Sequence, residues 1–278
     1  IRKVTIVQRR LTHYRVPFFE GLRKSLKTRN IRLTLLVGEP TDDELSKRDG
    51  GHLDWAIPVE TRYLLNNRLC WMPYWKYLED LDLLIITQEN WQIAHHLVLA
   101  RKNKFKVAFW GHGANLQRQE GRGWKDRYKD WTTTRADWWF AYTELSKQLV
   151  TKTGFPEEGV TVVNNTIDES AMREALASVS AADVKQKKIE LGFENSRVGL
   201  FIGSLHKTKN LHFLLSAARK IKEQEANFKL LIIGDGPENE LIRQFSKSEP
   251  WIKWVGALRG RDKVLYSLTA EFLMNPGM

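Results

Sequence analysis

Short apolar runs alternate with amphipathic segments along the first 168 residues. The runs have the length of buried strands, and the segments between them repeat their apolar positions at helical spacing. The predicted strands cover 4–8, 33–37, 83–87, 107–110, 138–142 and 160–163, and the predicted helices cover 17–27, 91–102, 124–133 and 144–153. Thr143 and Gly154 are suited to begin and end the last of these helices. Strands that alternate with helices indicate a parallel sheet.

The pattern changes after residue 168. Residues 169–191 are rich in Ala, Lys, Glu and Ser and carry no strand signal. The alternation then resumes, with strands predicted at 198–202, 228–233, 252–255 and 271–274 and helices at 211–223, 238–246 and 262–267. We therefore expect an α/β domain over 1–168, a helical linker over 169–195 and a second α/β domain over 196–278. Because this domain stops after its fourth strand, we expect it to be incomplete.

The composition is that of a globular protein, with 42% hydrophobic residues among 278. No apolar run approaches the roughly 20 residues that span a bilayer. Cys70 is the only cysteine, which excludes an internal disulfide and fits a reducing cytoplasm, and it is interpreted as a small core residue. The net charge of +11 favours an anionic partner, which could be nucleic acid, an acidic lipid or a phosphate-bearing small molecule.

Ligands of open parallel sheets bind beyond the carboxyl ends of the strands, so the residues after each strand are the candidates. The segment 203–210 follows a predicted strand and precedes a predicted helix, and it contains Gly203, Ser204, Lys207 and Lys209. Lysines beside a helix N-terminus suit a diphosphate. An ordinary loop with solvated lysines is an equally good interpretation of this segment alone.

The next loop contains Gly234, Gly236 and Pro237. The two glycines permit a close approach of the backbone, and Pro237 suits the first turn of a helix. The third glycine of a dinucleotide fingerprint would fall at Asn239, so the loop speaks against NAD.

Two loops of the first domain carry further candidates. His112 lies between Gly111 and Gly113 directly after a predicted strand, which favours an exposed functional histidine over a structural one. The first strand leads into a basic and polar loop, 8–15, in which His13, Tyr14 and Arg15 are the acceptor-side candidates.

The order of three stretches resembles glycosyltransferase family 4, whose members are retaining enzymes of the GT-B fold. That fold has two Rossmann-like parallel-sheet domains that face a cleft. The first stretch is 142–146, which continues through Gly154 to 162–168. The second is 201–205 with Lys209 and Asn210, and the third is 231–237 with 255–258 and 275–277.

The resemblance implies a role for each candidate. Lys209 would hold the diphosphate of a nucleotide-sugar donor, with Gly203 allowing backbone approach. Residues of two loops would surround the nucleotide, namely Gly256, Ala257 and Leu258 beside the base and Gly234, Gly236 and Pro237 in the same pocket. His112 would orient the transferred sugar or stabilise charge. The resemblance implies that neither a metal nor a cofactor is needed. It also implies that the acceptor is a glycan or a lipid-linked saccharide of cell-surface polysaccharide synthesis.

The chain departs from the family at three places. Ser204 stands where members often have Arg, so Lys207 or a residue of 9–15 is the expected substitute. The paired glutamates of the family would follow Gly277 and fall beyond Met278. The first loop has His13-Tyr14-Arg15 in place of a double glycine.

Residues 121–131 interleave basic and aromatic side chains. They suggest a surface that meets anionic lipid, which would place a cytoplasmic protein at the inner face of the membrane. The alternative, which we favour slightly, is a helix whose residues Trp124, Tyr128 and Trp131 pack inward.

Two other functions are compatible with the sequence. A sugar-nucleotide epimerase shares this architecture and uses carboxylates as its acid and base. A nucleic-acid-binding protein would suit the charge of +11, but that charge is spread over both domains and no nucleic-acid motif is present. A glycoside hydrolase would need paired carboxylates, and no obvious pair is seen.

Overall fold

The computed structural model describes residues 2–45, 49–100, 104–113 and 124–277. The chain divides into two compact units, Ile1–Asp168 and Glu169–Met278. Each unit is built around its own parallel sheet, as the alternation of strands and helices predicts. The predicted features at 101–102, 114–115, 121–123 and 278 lie outside the described residues.

The first unit has nine strands and five α-helices in its described residues. The strands are Arg2–Gln8 (β1), Ile31–Val37 (β2), Ile57–Pro58 (β3), Arg62–Leu64 (β4), Leu69–Trp71 (β5), Leu83–Ile86 (β6), Lys106–Gly111 (β7), Trp138–Ala141 (β8) and Val160–Val162 (β9). The helices are Val16–Thr28 (α1), Asp42–Leu45 (α2), Ile93–Ala100 (α3), Trp124–Thr133 (α4) and Glu144–Thr151 (α5).

Seven of these strands form one parallel sheet in the order β3-β2-β1-β6-β7-β8-β9, and β4 pairs with β5 as a separate hairpin. Strands β1 to β3 are added one after another toward one edge of the sheet, and strands β6 to β9 are added toward the opposite edge. The chain therefore reverses its direction of winding between β1 and β6, and this is the switch point of the sheet.

The second unit begins with two helices, Ser170–Ala177 (α6) and Ala181–Leu191 (α7), which contact its last helix. Its strands are Arg197–Ile202 (β10), Phe228–Ile233 (β11), Ile252–Trp254 (β12) and Phe272–Leu273 (β13), and its other helices are Leu211–Gln224 (α8), Asn239–Ser248 (α9) and Gly260–Ser267 (α10). The sheet order is β12-β11-β10-β13, so the switch point lies between β10 and β13.

The strands are apolar because both faces of each sheet pack against other parts of the unit. In the first unit Phe109, Trp139 and Cys70 are fully buried in one cluster, which confirms Cys70 as a core residue. In the second unit Leu200 and Leu231 pack on one face of the sheet while Phe201 and Leu230 pack on the other.

The strand and helix predictions agree with the structure to within about two residues at most ends. Thr143 caps α5 by accepting a hydrogen bond from the Ser146 N–H at 3.1 Å, as predicted. The inward packing of 124–131 is wrong for Tyr128 and Trp131, which are exposed, the latter by 52%. Helix α4 packs through Thr132 and Thr133 instead, because their short side chains fit under the Gln88 amide.

No helix in the described parts of the chain combines the length and the apolar character that a membrane crossing requires.

Candidate functional site

The loops that follow the two switch points carry most of the polar side chains singled out by the sequence. In the first unit these loops follow β1 and β6, and in the second unit they follow β10 and β13. Such places are where parallel sheets bind their ligands, because neighbouring loops separate there and leave a crevice.

The loop after β10 presents two lysines at the start of a helix. Lys207 and Lys209 lie in a short 3-10 turn, and α8 begins two residues after Lys209. Asn210 adopts φ 50° and ψ 46° and makes no side-chain cap, so the first N–H groups of α8 are left without a side-chain acceptor. Neither lysine forms an ion pair with a described carboxylate. These positive charges and N–H groups suit an anion.

The two loops of this switch point meet. A Cβ placed on Gly277, after β13, would lie 3.9 Å from Cδ of Lys209. Ser204 is exposed in the same loop. The structure therefore brings Gly203, Ser204, Lys207 and Lys209 together at one end of the sheet.

Glycines 234 and 236 are explained by packing inside the protein. A Cβ on Gly234 would lie 1.9 Å from the Gly203 carbonyl oxygen, and a Cβ on Gly236 would lie 2.5 Å from that of Leu205. Leu205 is fully buried, and its N–H donates to the Asp235 carbonyl at 3.0 Å. The backbone of the loop after β11 thus packs closely against the loop after β10 and fixes the conformation of the segment that carries Lys207 and Lys209.

Further hydrogen bonds hold the loop after β11 in its own conformation and join it to the segment after β12. The Asp235 carboxylate accepts hydrogen bonds from the Gly236 N–H at 2.9 Å and from the Asn239 amide. Trp254 Nε1 donates to the Gly234 carbonyl at 2.9 Å, and the Gly234 N–H donates to the Gly256 carbonyl at 2.8 Å. The segment of Gly256, Ala257 and Leu258 is therefore tied to Gly234, although Leu258 packs partly into the core.

In the first unit, the loop after β1 begins with two arginines that are already neutralised. Arg9 Nη1 donates to Glu44 Oε2 at 2.6 Å and to the Tyr63 hydroxyl at 3.1 Å. Arg10 binds both oxygens of Asp49, at 2.7 and 3.0 Å. These partners neutralise the charges of Arg9 and Arg10 within the first unit.

Glu44 is the acidic centre of this network. Burial raises its pKa, but hydrogen bonds from Arg9 and from the Thr41 N–H, together with the charges of Arg9 and Arg10, lower the pKa to about 2. Thr41, which directly precedes α2, helps to position this carboxylate, because its N–H donates to Glu44 Oε2 at 3.0 Å. Glu44 is therefore ionised at neutral and mildly acidic pH.

His112 follows β7, as predicted, and its ring is exposed. It stands edge-on to Tyr142 with 4.7 Å between ring centroids. Its pKa is lowered by partial burial and by the charges of Lys129 and Arg15, so the imidazole is neutral at pH 7. Gly113 is required by packing, since its φ is +72° and a Cβ there would lie 2.4 Å from Val150 Cγ2.

The three acceptor-side candidates separate in the structure. Arg15 joins the His112 site, because its Nη2 donates to the Tyr142 hydroxyl at 2.8 Å and its guanidinium lies 5.1 Å from the Trp110 ring. His13 is bound instead to the Asp49 carbonyl. Tyr14 is 43% exposed and lines, with Arg15, a cavity of about 430 Å³ whose other walls are largely apolar.

One carboxylate at this edge is not among the residues that the sequence pattern singles out. Glu89 follows β6, and its Oε2 accepts hydrogen bonds from Trp91 Nε1 at 2.7 Å and from Gln92 Nε2 at 3.1 Å. Arg9 Nε lies 3.9 Å from the same oxygen. The sequence shows only that Glu89 is a polar residue soon after a buried strand. The strand order adds that this strand lies next to β1, so Glu89 lies close to the loop of Arg9.

The described residues contain no group of three or more His, Cys, Asp or Glu side chains placed to hold a metal ion.

Comparison with known proteins gives one sequence match and several structural ones. Residues 196–276 match the family model described as glycosyl transferases group 1. No curated protein sequence matches the chain.

Three solved structures illustrate the likeness. HepE of Anabaena in complex with UDP is similar over 98% of this chain and 73% of its own, with 17% identity and a TM-score of 0.61. The UDP-GlcNAc 2-epimerase of Methanocaldococcus jannaschii is similar over 98% and 77%, with 16% identity and a TM-score of 0.55. The lipopolysaccharide outer core galactosyltransferase WaaB is similar over 96% and 72%, with 14% identity and a TM-score of 0.57.

At these identities the likeness concerns the fold, and the fold includes both transferases and epimerases. The chain therefore has the GT-B architecture of two Rossmann-like units, and its residues 196–276 are similar to the glycosyl transferases group 1 family.

Proposed function

We propose that the protein is a glycosyltransferase that moves a sugar from a nucleotide-diphosphate donor to an acceptor hydroxyl with retention at the anomeric carbon. The observation that carries the proposal is the loop after β10, where Lys207 and Lys209 lie at the start of α8 without an ion-pair partner in the described parts of the chain. This loop belongs to the segment that matches the glycosyl transferases group 1 model. HepE binds UDP and UDP-glucose, which favours a uridine donor here.

Lys209 and the N–H groups of α8 would bind the donor diphosphate. Transfer breaks the bond between the sugar and the diphosphate, so negative charge develops on the phosphate oxygens. Cations fixed in advance stabilise that charge without having to reorganise. The close packing of Gly234 and Gly236 against the loop after β10 would provide this fixed geometry.

His112 would act on the sugar rather than on the phosphates. A neutral imidazole can donate one hydrogen bond and accept another, and the lowered pKa of His112 keeps it neutral at pH 7. Contact with Tyr142, whose hydroxyl is bound by Arg15, holds the ring in place. His112 would therefore orient the transferred sugar or stabilise charge on it.

Two surfaces of the first unit support a lipid-linked acceptor presented at an anionic membrane. The cavity beside Arg15 and Tyr14 has apolar walls that suit a hydrocarbon group. Trp131 is exposed on α4 with the Arg135 guanidinium 4.3 Å from its ring, and aromatic and basic side chains together favour the lipid interface. Binding to vesicles with and without anionic lipid tests this part of the proposal.

Donor binding provides the decisive test. UDP-, GDP- and dTDP-sugars are titrated against the full-length protein, with Lys209→Ala as the test variant. The control is Lys220→Ala, which removes an exposed lysine from α8 itself. We expect Lys209→Ala to weaken nucleotide binding about ten-fold or more, because a charge-assisted contact to phosphate is lost, and Lys220→Ala to have no effect. Equal affinities for the three proteins would contradict the assigned site.

A sugar-nucleotide epimerase is the second candidate, and Glu89 is the observation that favours it, since an epimerase uses carboxylates as acid and base. Several structurally similar proteins are epimerases, including that of M. jannaschii. The protein is incubated with nucleotide sugars in the absence of an acceptor. An isomerised nucleotide sugar would establish the epimerase and remove the transferase.

A further inference from the structure

We propose that Glu89 binds a hydroxyl group of the acceptor saccharide through its carboxylate oxygen Oε1. The proposal rests on the transferase function and assigns a residue to its acceptor side. It follows from the place of Glu89 in the sheet and from the state of its two oxygens.

The strand order places Glu89 beside the switch point of the first sheet. Strand β6 lies between β1 and β7, and Ile85 pairs with Ile6 while Ile86 pairs with Phe109. Neighbouring strands are about 4.8 Å apart. The loop of Glu89 therefore leaves the sheet between the loop of Arg9 and the loop of His112. Glu89 and His112 therefore lie at the same edge of the sheet, after neighbouring strands.

One oxygen of Glu89 is anchored, and the other is available. Trp91 Nε1 and Gln92 Nε2 both donate to Oε2, and Arg9 Nε is nearest to the same oxygen. No hydrogen bond reaches Oε1 from the described residues, and the side chain is 35% exposed. A carboxylate held in this way is a hydrogen-bond acceptor with a fixed direction, which suits a sugar hydroxyl.

The two carboxylates that pair with Arg9 and Arg10 are already engaged. Glu44 receives Arg9 with both oxygens and also accepts from the Thr41 N–H, and it is only 16% exposed. Both oxygens of Asp49 are bound by Arg10. Glu89 differs from them in keeping an exposed oxygen, so it is the carboxylate of this network that can receive a ligand.

The test compares Glu89→Gln with Glu157→Gln in the full-length protein. Glutamine keeps the shape of Glu89 and its hydrogen bond from Trp91 but removes the charge. Glu157 is an exposed carboxylate paired with Lys147 just before β9, at the opposite end of the same sheet, so the control makes the same chemical change away from the site. The melting temperature of each variant reports any structural effect.

Two readouts are combined. Saturation-transfer NMR measures binding of methyl glycosides of glucose, galactose and N-acetylglucosamine, and calorimetry measures binding of UDP. We expect Glu89→Gln to weaken binding of the recognised glycoside about ten-fold, as the loss of a charge-assisted hydrogen bond predicts. UDP affinity and melting temperature should stay unchanged, and Glu157→Gln should behave as the wild type.

Three other results would each contradict one of the proposals. If no glycoside binds the wild type, or if Glu89→Gln binds it equally well, the acceptor role of Glu89 is wrong even when UDP binding persists. If UDP binding is absent from the wild type, the proposed function fails instead. If the protein isomerises UDP-N-acetylglucosamine and Glu89→Gln abolishes that reaction, Glu89 is an acid–base residue of an epimerase.

Discussion

The two switch points have the same topology and opposite chemistry. In the first unit the two cations that directly follow β1 are paired with carboxylates, since Arg9 is bound to Glu44 and Arg10 to Asp49. In the second unit the cations after β10 have no carboxylate partner among the described residues, and a helix N-terminus adjoins them. The edge of the second unit is therefore the better suited of the two to an anion.

The rigidity of the two edges has different origins. The first edge is held by ion pairs and aromatic contacts, such as the Arg9 guanidinium 4.9 Å from the Trp91 ring. The second is held by backbone packing at Gly234 and Gly236, which leaves its charged side chains free. Because glycines rather than ion pairs fix this loop, Lys207 and Lys209 are left available for an anionic ligand.

The largest effect is expected at the backbone contact of the second unit. In Gly234→Ala the new Cβ would meet the Gly203 carbonyl at 1.9 Å, so the two loops must separate. We expect a loss of stability of about 3 kcal/mol, at the upper end for overpacking, and loss of UDP binding. Thermal unfolding and calorimetry measure both. Gly111→Ala is the control, because a Cβ placed there would have open space within 4 Å, and a similar loss there would refute the packing argument.

The next effect separates sugar handling from phosphate binding. His112→Ala should lower turnover about 100-fold, the range seen when a positioned group at the reacting centre is removed. The affinity for UDP should not change, because the phosphates are assigned to the other unit. Steady-state kinetics and calorimetry give the two numbers. If His112→Ala lowered turnover and UDP affinity by the same factor, the separation of sugar handling and phosphate binding between the two units would be wrong.

Local features of both edges could be predicted from the sequence, whereas their partners could not. The strand, lysine loop and helix over 197–224 were predicted because apolar runs and helix starts are local signals. The pairing of Arg9 with Glu44 joins residues far apart in the chain. The importance of Glu89 depends on β6 lying next to β1, and that of Gly234 on its contact with Gly203. Such relations are set by packing, so no spacing in the sequence reveals them.

A smaller, pH-dependent effect is expected from the acidic network of the first unit. The pKa of Glu44 in the folded protein is about 2, below its ordinary value of 4.5, so the unfolded chain takes up the proton first as the pH falls. The contribution of Glu44 to stability is therefore fully present above pH 4.5 and is lost as the pH falls toward 2. Denaturation midpoints between about pH 7 and pH 3 should fall steeply for the wild type and less steeply for Glu44→Gln.

The control for this comparison is Glu60→Gln, which removes an exposed ion pair with Arg62. Exposed pairs contribute little to stability and are screened by salt. The Glu60 variant should therefore follow the wild-type profile. A Glu44→Gln profile that is parallel to the wild type would show that the network does not depend on this charge.

The smallest effect is a gain of affinity that follows from the open character of the second edge. Ser204 is exposed next to Gly203, and the positive loop has no arginine at this position. Ser204→Arg should strengthen UDP binding a few-fold at low salt, because a guanidinium can bind phosphate with two parallel hydrogen bonds, and the gain should shrink as salt is added. Ser204→Gln is the control for length without charge. If the arginine variant binds UDP no better than the glutamine variant at any salt concentration, the diphosphate does not lie beside Ser204, and the anion site must be centred farther along the loop, toward Lys209 and the start of α8.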